Sequence, residues 1–165
     1  MPKEPSAFPE AKEIVGKETT FTAPDPVGQA FIRQFALSVG DMNPHYVDQS
    51  FAEKSKYGGI IAPPTMVCET MYYHDGSVDE AGGPANRFTL VSMGTEIRGG
   101  NDYTFHQPMR PDDVLTARWK AKEVYEKQGR TGRLLFLVYE IRYTNQRGEL
   151  LATNDEHIVY QLKQG

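Results

Sequence analysis

The chain has a single cysteine, Cys68. It cannot close an internal disulfide, so the expectation is a reducing, cytoplasmic setting and a core held by packing alone. No stretch approaches the roughly eighteen consecutive apolar residues that a membrane helix needs. Met1-Pro2-Lys3-Glu4-Pro5 has no apolar stretch behind its lysine, which argues against a secretory signal. Basic residues are in deficit: 18 Lys and Arg against 22 Asp and Glu give a net charge of −4, the wrong sign for a general nucleic-acid binder. Four histidines, His45, His74, His106 and His157, lie scattered with no metal-ligand spacing. Repeats and low-complexity tracts are absent. What remains is 165 residues, 39% hydrophobic with 15 glycines, and a mean hydropathy of −0.55. That describes one well-coated folded domain over 1–165, its first ten residues (three of them proline) an extended arm.

The punctuation comes early. Ile14-Val15 ends at Gly16, a helix stop. Past Pro24-Asp25-Pro26, the residues Val27, Phe31, Phe35 and Val39 recur every four positions, with Ile32 and Ala36 widening the stripe. This predicts an amphipathic helix halted by Gly40. Residues 46–57 read as a turn or two of helix. Pro63-Pro64 then opens a second helix through Met66, Val67, Met71 and Tyr72, apolar enough to be buried. Residues 74–87 read as a loop.

From Phe88 the period changes to two. Leu115, Ala117, Trp119 and Ala121 alternate with polar residues, as do Leu135, Leu137, Tyr139, Ile141 and Tyr143. With 88–98, 101–107 and 154–161, about five strands follow at hairpin spacing, separated by turns at 129–132 and 145–148. The fold class is α+β. One face of this antiparallel sheet is too apolar to leave in water, and its edges need partners. Wrapping the sheet around the second helix and pairing it with another copy or a relative meets both needs. That is the logic of a hot-dog fold, and it predicts a dimer.

Four stretches carry a family likeness: Gly40-Asp41-Met42-Asn43-Pro44, Tyr57-Gly58-Gly59-Ile60-Ile61-Ala62-Pro63-Pro64-Thr65, Gly99-Gly100-Asn101 with 105–113, and Val124 to Gly132. Together, in this order, they resemble the MaoC-like hydratases and dehydratases of enoyl and hydroxyacyl thioesters. The Ala-Pro-Pro-Thr variant resembles the N-terminal-type dehydratase domain of that superfamily. The resemblance implies no cofactor, and an acyl-CoA or acyl-carrier thioester as ligand. In catalytic members an aspartate and a histidine five positions later hold the reacting water. Asp41 fits this pattern, but the histidine position is Tyr46, and His45 stands one place early. One step along a helix redirects a side chain by about 100°. Pro63-Pro64 also replaces the His-Gly of catalytic relatives and removes two amide donors, leaving those of Gly59, Ile60 and Thr65.

The implied role is that of an acyl-thioester-binding subunit working with a histidine-bearing MaoC-like partner. Asp41 and His45 are its candidate catalytic residues. Asn43, Tyr46, Tyr57, Gly58, Gly59, Ile60, Ala62 and Thr65 are its candidate substrate contacts. Two other readings stand beside it: a homodimeric hydratase using Asp41 and His45, and an acyl-CoA-binding module without chemistry. Elsewhere plainer readings serve. Asp41 and Asn43 alone would make an Asx-turn, and Asp112-Asp113 after Pro111 is ordinary turn chemistry. Arg130 and Arg133 read as solvated, His106 as half-buried, Cys68 as a small buried residue, and Gly99-Gly100 as a bulge.

Overall fold

A computed structural model describes residues 3–68, 90, 94–130 and 132–162. The chain begins with β1 (Glu4–Pro5), α1 (Pro9–Glu13) and β2 (Glu18–Thr22), followed by α2 (Gln29–Val39), α3 (Pro44–Val47) and α4 (Gln49–Glu53). A 3₁₀ turn (Pro64–Cys68) precedes the long strands β3 (Gly94–Phe105), β4 (Leu115–Gln128), β5 (Arg133–Asn145) and β6 (Leu150–Leu162). The sheet runs β1–β4–β5–β6–β3, with β2 also on β4, and every pairing is antiparallel. The N-terminal arm is thus extended only as far as Phe8, where Pro9 starts a helix, and β2 adds a strand that the sequence pattern did not single out.

Alternation decides which face is buried. Cross-strand neighbours Ala117–Tyr143–Ala152, Trp119–Ile141–Asn154 and Ala121–Tyr139–Glu156 form rows on the inner face. All nine are at least nine-tenths buried. Ile32, Ala36, Ala52, Met66 and Val67 join them in one core, where burial of the larger side chains, Ile32, Met66 and Val67, contributes about 1.5–3 kcal/mol each. The opposite face carries charge, including the Arg118–Glu18 and Lys122–Asp155 pairs. One wet face and one dry face is what hydrophobic alternation in an antiparallel sheet encodes.

Several expectations are corrected. Helix α2 buries Ile32 and Ala36, while Val39 is exposed and Phe31 and Phe35 only flank the core. Where two strands were expected over 88–98 and 101–107, the described residues 94–105 form one continuous strand, β3, with a register shift between Arg98 and Gly100. A Cβ at Gly99 would lie 2.9 Å from Val159 Cγ2 and 3.0 Å from the His157 carbonyl, so the bulge rests on a side chain of hydrogen. Of the second helix, the described part is the 3₁₀ turn Pro64–Cys68. Met71, Tyr72, His74 and the 74–87 loop lie outside the described residues. Arg133 is paired with the buried Glu126 rather than simply solvated. Cys68 is half-buried, its thiol donating to the Thr65 carbonyl at 2.8 Å.

The turn expected at Asp112-Asp113 forms, closed by the Asp113 N–H on the Arg110 carbonyl at 3.1 Å, but Asp113 does not lie at the surface. It is fully buried and accepts the Arg110 N–H at 2.7 Å, Asn145 Nδ2 at 3.0 Å and Arg147 Nη2 at 2.5 Å. Val27 N–H meets the Asp113 carbonyl at 2.9 Å, which fastens the chain before α2 to the β4 approach. Asp113→Ala strands these donors, and a loss of roughly 3–5 kcal/mol of stability is expected in urea unfolding. A loss below 1 kcal/mol would show that the network is ornamental.

Candidate functional site

Helix α2 ends because Gly40 takes the left-handed conformation, φ 72°. The Asp41 N–H then closes onto the Ala36 carbonyl at 2.9 Å, which turns the Asp41 side chain off the helix end. Asp41 Oδ1 accepts the Asn43 N–H at 3.3 Å, and Asn43 Oδ1 caps α3 by accepting the His45 N–H at 3.1 Å. The same Asn43 oxygen lies 2.8 Å from His45 Nδ1, so that nitrogen carries the proton of the neutral ring. Edge-on contacts with Phe51 (5.0 Å) and Tyr57 (5.2 Å) complete the seat of the His45 imidazole.

Tyr46, next in the chain, points inward and is buried. Burial pushes its phenol pKa up, and the Asp41 carboxylate and Tyr57 add to the shift. Tyr46 is therefore a protonated hydroxyl at neutral pH, able to donate a hydrogen bond but not to abstract a proton.

A tether joins this region to the Tyr57–Thr65 segment: Ile61 N–H donates to the His45 carbonyl at 3.1 Å. Gly58 turns the segment with φ 66°. Two bonds hold it against the loop beyond β3, Ala62 N–H to the Met109 carbonyl at 2.9 Å and Arg110 Nη2 to the Tyr57 carbonyl at 2.8 Å. The amides of Gly59 and Ile60 and that of Thr65, in the 3₁₀ turn, lie along this strip.

Between the segment and the loop lies a cavity of about 320 Å³. Lys56, Tyr57, Ile61, Ala62, Pro64 and Val67 form one wall; Phe105 to Met109 with Leu151 and Ala152 form the other. Of the residues singled out in the sequence, Tyr57 and Ala62 line it. Gly58, Gly59, Ile60 and Thr65 are their chain neighbours. Asn43 and His45 are bonded to each other, and Asp41 acts on Tyr46. His106 is exposed on the cavity wall, not half-buried. Lys56, Leu151 and Ala152 carry no local signal of a site; Gln107 belongs to the 105–113 motif, which alone pointed toward the second wall.

Beside the cavity the inner face turns polar. Asn154 Nδ2 donates to Asn101 Oδ1 at 2.8 Å, and Tyr103 stacks on Phe105 at 5.4 Å. Burial holds the Tyr103 and Tyr143 phenols well above the usual range. Together with Tyr46 they should stay protonated past pH 10 in the folded chain and ionise near 10 when unfolded. Their contribution is complete below pH 10 and lost as pH rises above it. Absorbance titration should show these tyrosines ionising only together with alkaline unfolding; smooth titration of all nine near pH 10 in folded protein would contradict it. Among the described residues no three His, Cys, Asp or Glu side chains converge as metal ligands, and no helix is long and apolar enough to cross a membrane.

Residues 13–154 match the family model described as FAS1-like, dehydratase domain region. A UPF0336 protein of Parafrankia sp. is 29% identical over 88% of this chain and 90% of its own. A probable enoyl-CoA hydratase alpha subunit of Thermomonospora curvata is 28% identical over 78% of this chain but 43% of its own length. Among solved structures, a chain of the ChsH1–ChsH2 complex from Mycobacterium tuberculosis superposes with a TM-score of 0.72 at 22% identity, covering 94% of this chain and 89% of that one. A MaoC-like dehydratase from Rhodospirillum rubrum gives 0.67 at 20% identity, over 97% and 100% of the two chains. The helix-then-meander order, the single antiparallel sheet and these matches agree: the chain belongs to the FAS1-like dehydratase-region family and has its MaoC-like hot-dog fold.

Proposed function

We propose that this chain is the acyl-thioester-binding subunit of a two-subunit enoyl-thioester hydratase or 3-hydroxyacyl-thioester dehydratase. It holds the acyl group and leaves proton transfer to a histidine-bearing hot-dog partner. One observation carries the reading: where the resemblance puts the catalytic histidine stands Tyr46, buried and held protonated. The alpha-subunit name of the Thermomonospora relative and the two-component Mycobacterium complex support it.

The division of labour follows from the chemistry. Water adds across the double bond next to the thioester carbonyl, and the enolate oxygen that develops needs N–H donors. The amides of Gly59, Ile60 and Thr65 are this chain's candidate donors. Removing a proton from water and returning one to the α-carbon need a group with pKa near the working pH. Tyr46 does not qualify, and His45 stands one residue out of step with that position, its ring seated edge-on against Phe51 and Tyr57. Asp41 then positions rather than transfers. Strand β3 pairs with β6 on one side and, among the described residues, with no strand on the other. Pairing there with the partner would cover that edge and give the site its second half.

Calorimetry with crotonyl-CoA and an assay of its hydration on the same sample test this. Binding without turnover is expected; rapid turnover by this chain alone contradicts it. Light scattering should find a dimer at micromolar concentration, and a monodisperse monomer would remove the argument for a paired edge.

A further inference from the structure

The two ends of the sheet are treated differently by the chain. At one end β3 is a strand of 12 residues without a proline, and among the described residues it pairs only with β6. At the other, β4 is 14 residues long, and its outer edge is covered by pieces of the N-terminal segment. β1 pairs at Tyr125 and Glu126, and β2 pairs from Thr116 to Lys120. Between them, Gly16 N–H donates to the Ala121 carbonyl at 2.8 Å and Ala121 N–H to the Lys17 carbonyl at 3.0 Å. Ala23 N–H closes the end of the cover on the Leu115 carbonyl at 2.8 Å. Side chains pin it down. Ala11 and Ile14 are buried in the core, Ala7 N–H donates to the buried Glu126 at 2.6 Å, and Glu18 pairs with Arg118 and Lys120. The cover also replaces a good pairing template with a poor one. β1 and β2 are two and five residues long, α1 separates them, and they carry Glu4, Pro5 and Glu18. A short, charged, proline-bearing edge resists further pairing, where a bare 14-residue edge invites it.

We propose that residues 4–23 are an assembly guard: they hold the β4 edge shut, so that the chain associates through β3 alone and association stops at two subunits. This rests on β3 being the edge that takes a partner. Two chains joined β3 to β3 cover both open edges and close. With the guard off, each such pair would present two bare β4 edges, and pairing between them joins dimer to dimer in a row that never closes. The parity of the ladder shows where the guard is vulnerable. The bonds of Lys17 and Ala23 to β4 set a two-residue alternation, so Thr19 and Phe21 also turn their backbone groups to β4, while Thr20 turns its own away from it.

Thr19→Pro and Thr20→Pro, made in the full chain, test this with the same residue one position apart. Thr19→Pro removes an N–H that faces β4, and Thr20→Pro removes one that does not. Sedimentation velocity over a wide concentration range should find the unaltered chain and Thr20→Pro at twice 18.6 kDa throughout. Thr19→Pro, with native near-UV circular dichroism, should give species larger than a dimer whose mean mass rises with concentration. A folded Thr19→Pro that stays a dimer at every concentration overturns the guard, and so does equal growth of both variants. If the unaltered chain is a monomer, the reading of β3 falls and the guard is judged by itself. A folded Thr19→Pro that then dimerises supports it, and one that stays monomeric overturns it. Hydrogen exchange on the unaltered chain decides the matter if Thr19→Pro does not fold. The amides of Phe21, Ala23 and Ala121 should be protected to within about tenfold of those in β5. Exchange there at the rate of an unstructured chain, with β5 still protected, shows a fraying flap and overturns the proposal.

Discussion

Mixing this chain with a histidine-bearing MaoC-like subunit should raise crotonyl-CoA hydration at least 10²–10⁴-fold over this chain alone. That range is what a positioned general acid–base group contributes. The gain should be larger on co-expression, because a β3 edge that pairs with no strand among the described residues invites the chain to pair with itself first. The argument turns on Asp41, His45 and Tyr46. The left-handed Gly40 aims Asp41, and Asp41 and Asn43 build the turn that starts α3. That turn fixes both following rings: His45 goes onto Phe51 and Tyr57, and Tyr46 into the core. An imidazole held one residue out of step cannot occupy the phenol's place without unwinding α3. Turnover that stays flat with every histidine-bearing partner would favour the module that binds without chemistry.

Gly59→Val should abolish thioester binding, by 100-fold or more, in a domain that remains folded. A Cβ at Gly59 meets nothing within 4 Å, and the backbone there needs no positive φ, so the fold has no reason to object. If a thioester oxygen is held by the Gly59 and Ile60 amides, as proposed, it must share the open space beside Gly59 with the valine. The strip cannot retreat from the added bulk. Ile61 is tied to His45, Ala62 to Met109 and the Tyr57 carbonyl to Arg110. Calorimetry of the variant, with near-UV circular dichroism to confirm the fold, checks this. Undiminished affinity would take the strip out of the site.

These two predictions draw on different depths of the sequence. The strands β4 and β5 were legible because alternation is local: Leu115 to Ala121 and Leu135 to Tyr143 announce their buried face within seven to nine residues. The end of α2 was legible for the same reason, since Gly40, Asn43 and Pro44 act on their immediate neighbours. Strand β2 was not. Glu18-Thr19-Thr20-Phe21-Thr22 has one large apolar residue, and its pairing residues Thr116 to Lys120 are about a hundred positions away. The turn at Asp112-Asp113 was legible but the burial of Asp113 was not, because a buried aspartate bonded to Arg147 and Asn145 has the same local sequence as a solvated turn. The cavity shows the general case. Its two walls come from 56–67 and 105–109 with 151–152, and only their pairing makes Lys56 and His106 neighbours of one space.

The location of the catalytic histidine is the central claim, and one comparison tests it directly. The reconstituted complex is assayed with His45→Ala in this chain, and separately with alanine at the histidine of the partner subunit's Asp-x-Asn-Pro-x-His motif. His45→Ala should leave kcat within about threefold, since it removes a ring that packs on Phe51 and Tyr57 and takes no part in proton transfer. The partner substitution should lower kcat by 10² or more. The reverse pattern, turnover lost with His45→Ala and kept without the partner's histidine, would contradict the account and make this chain the catalyst.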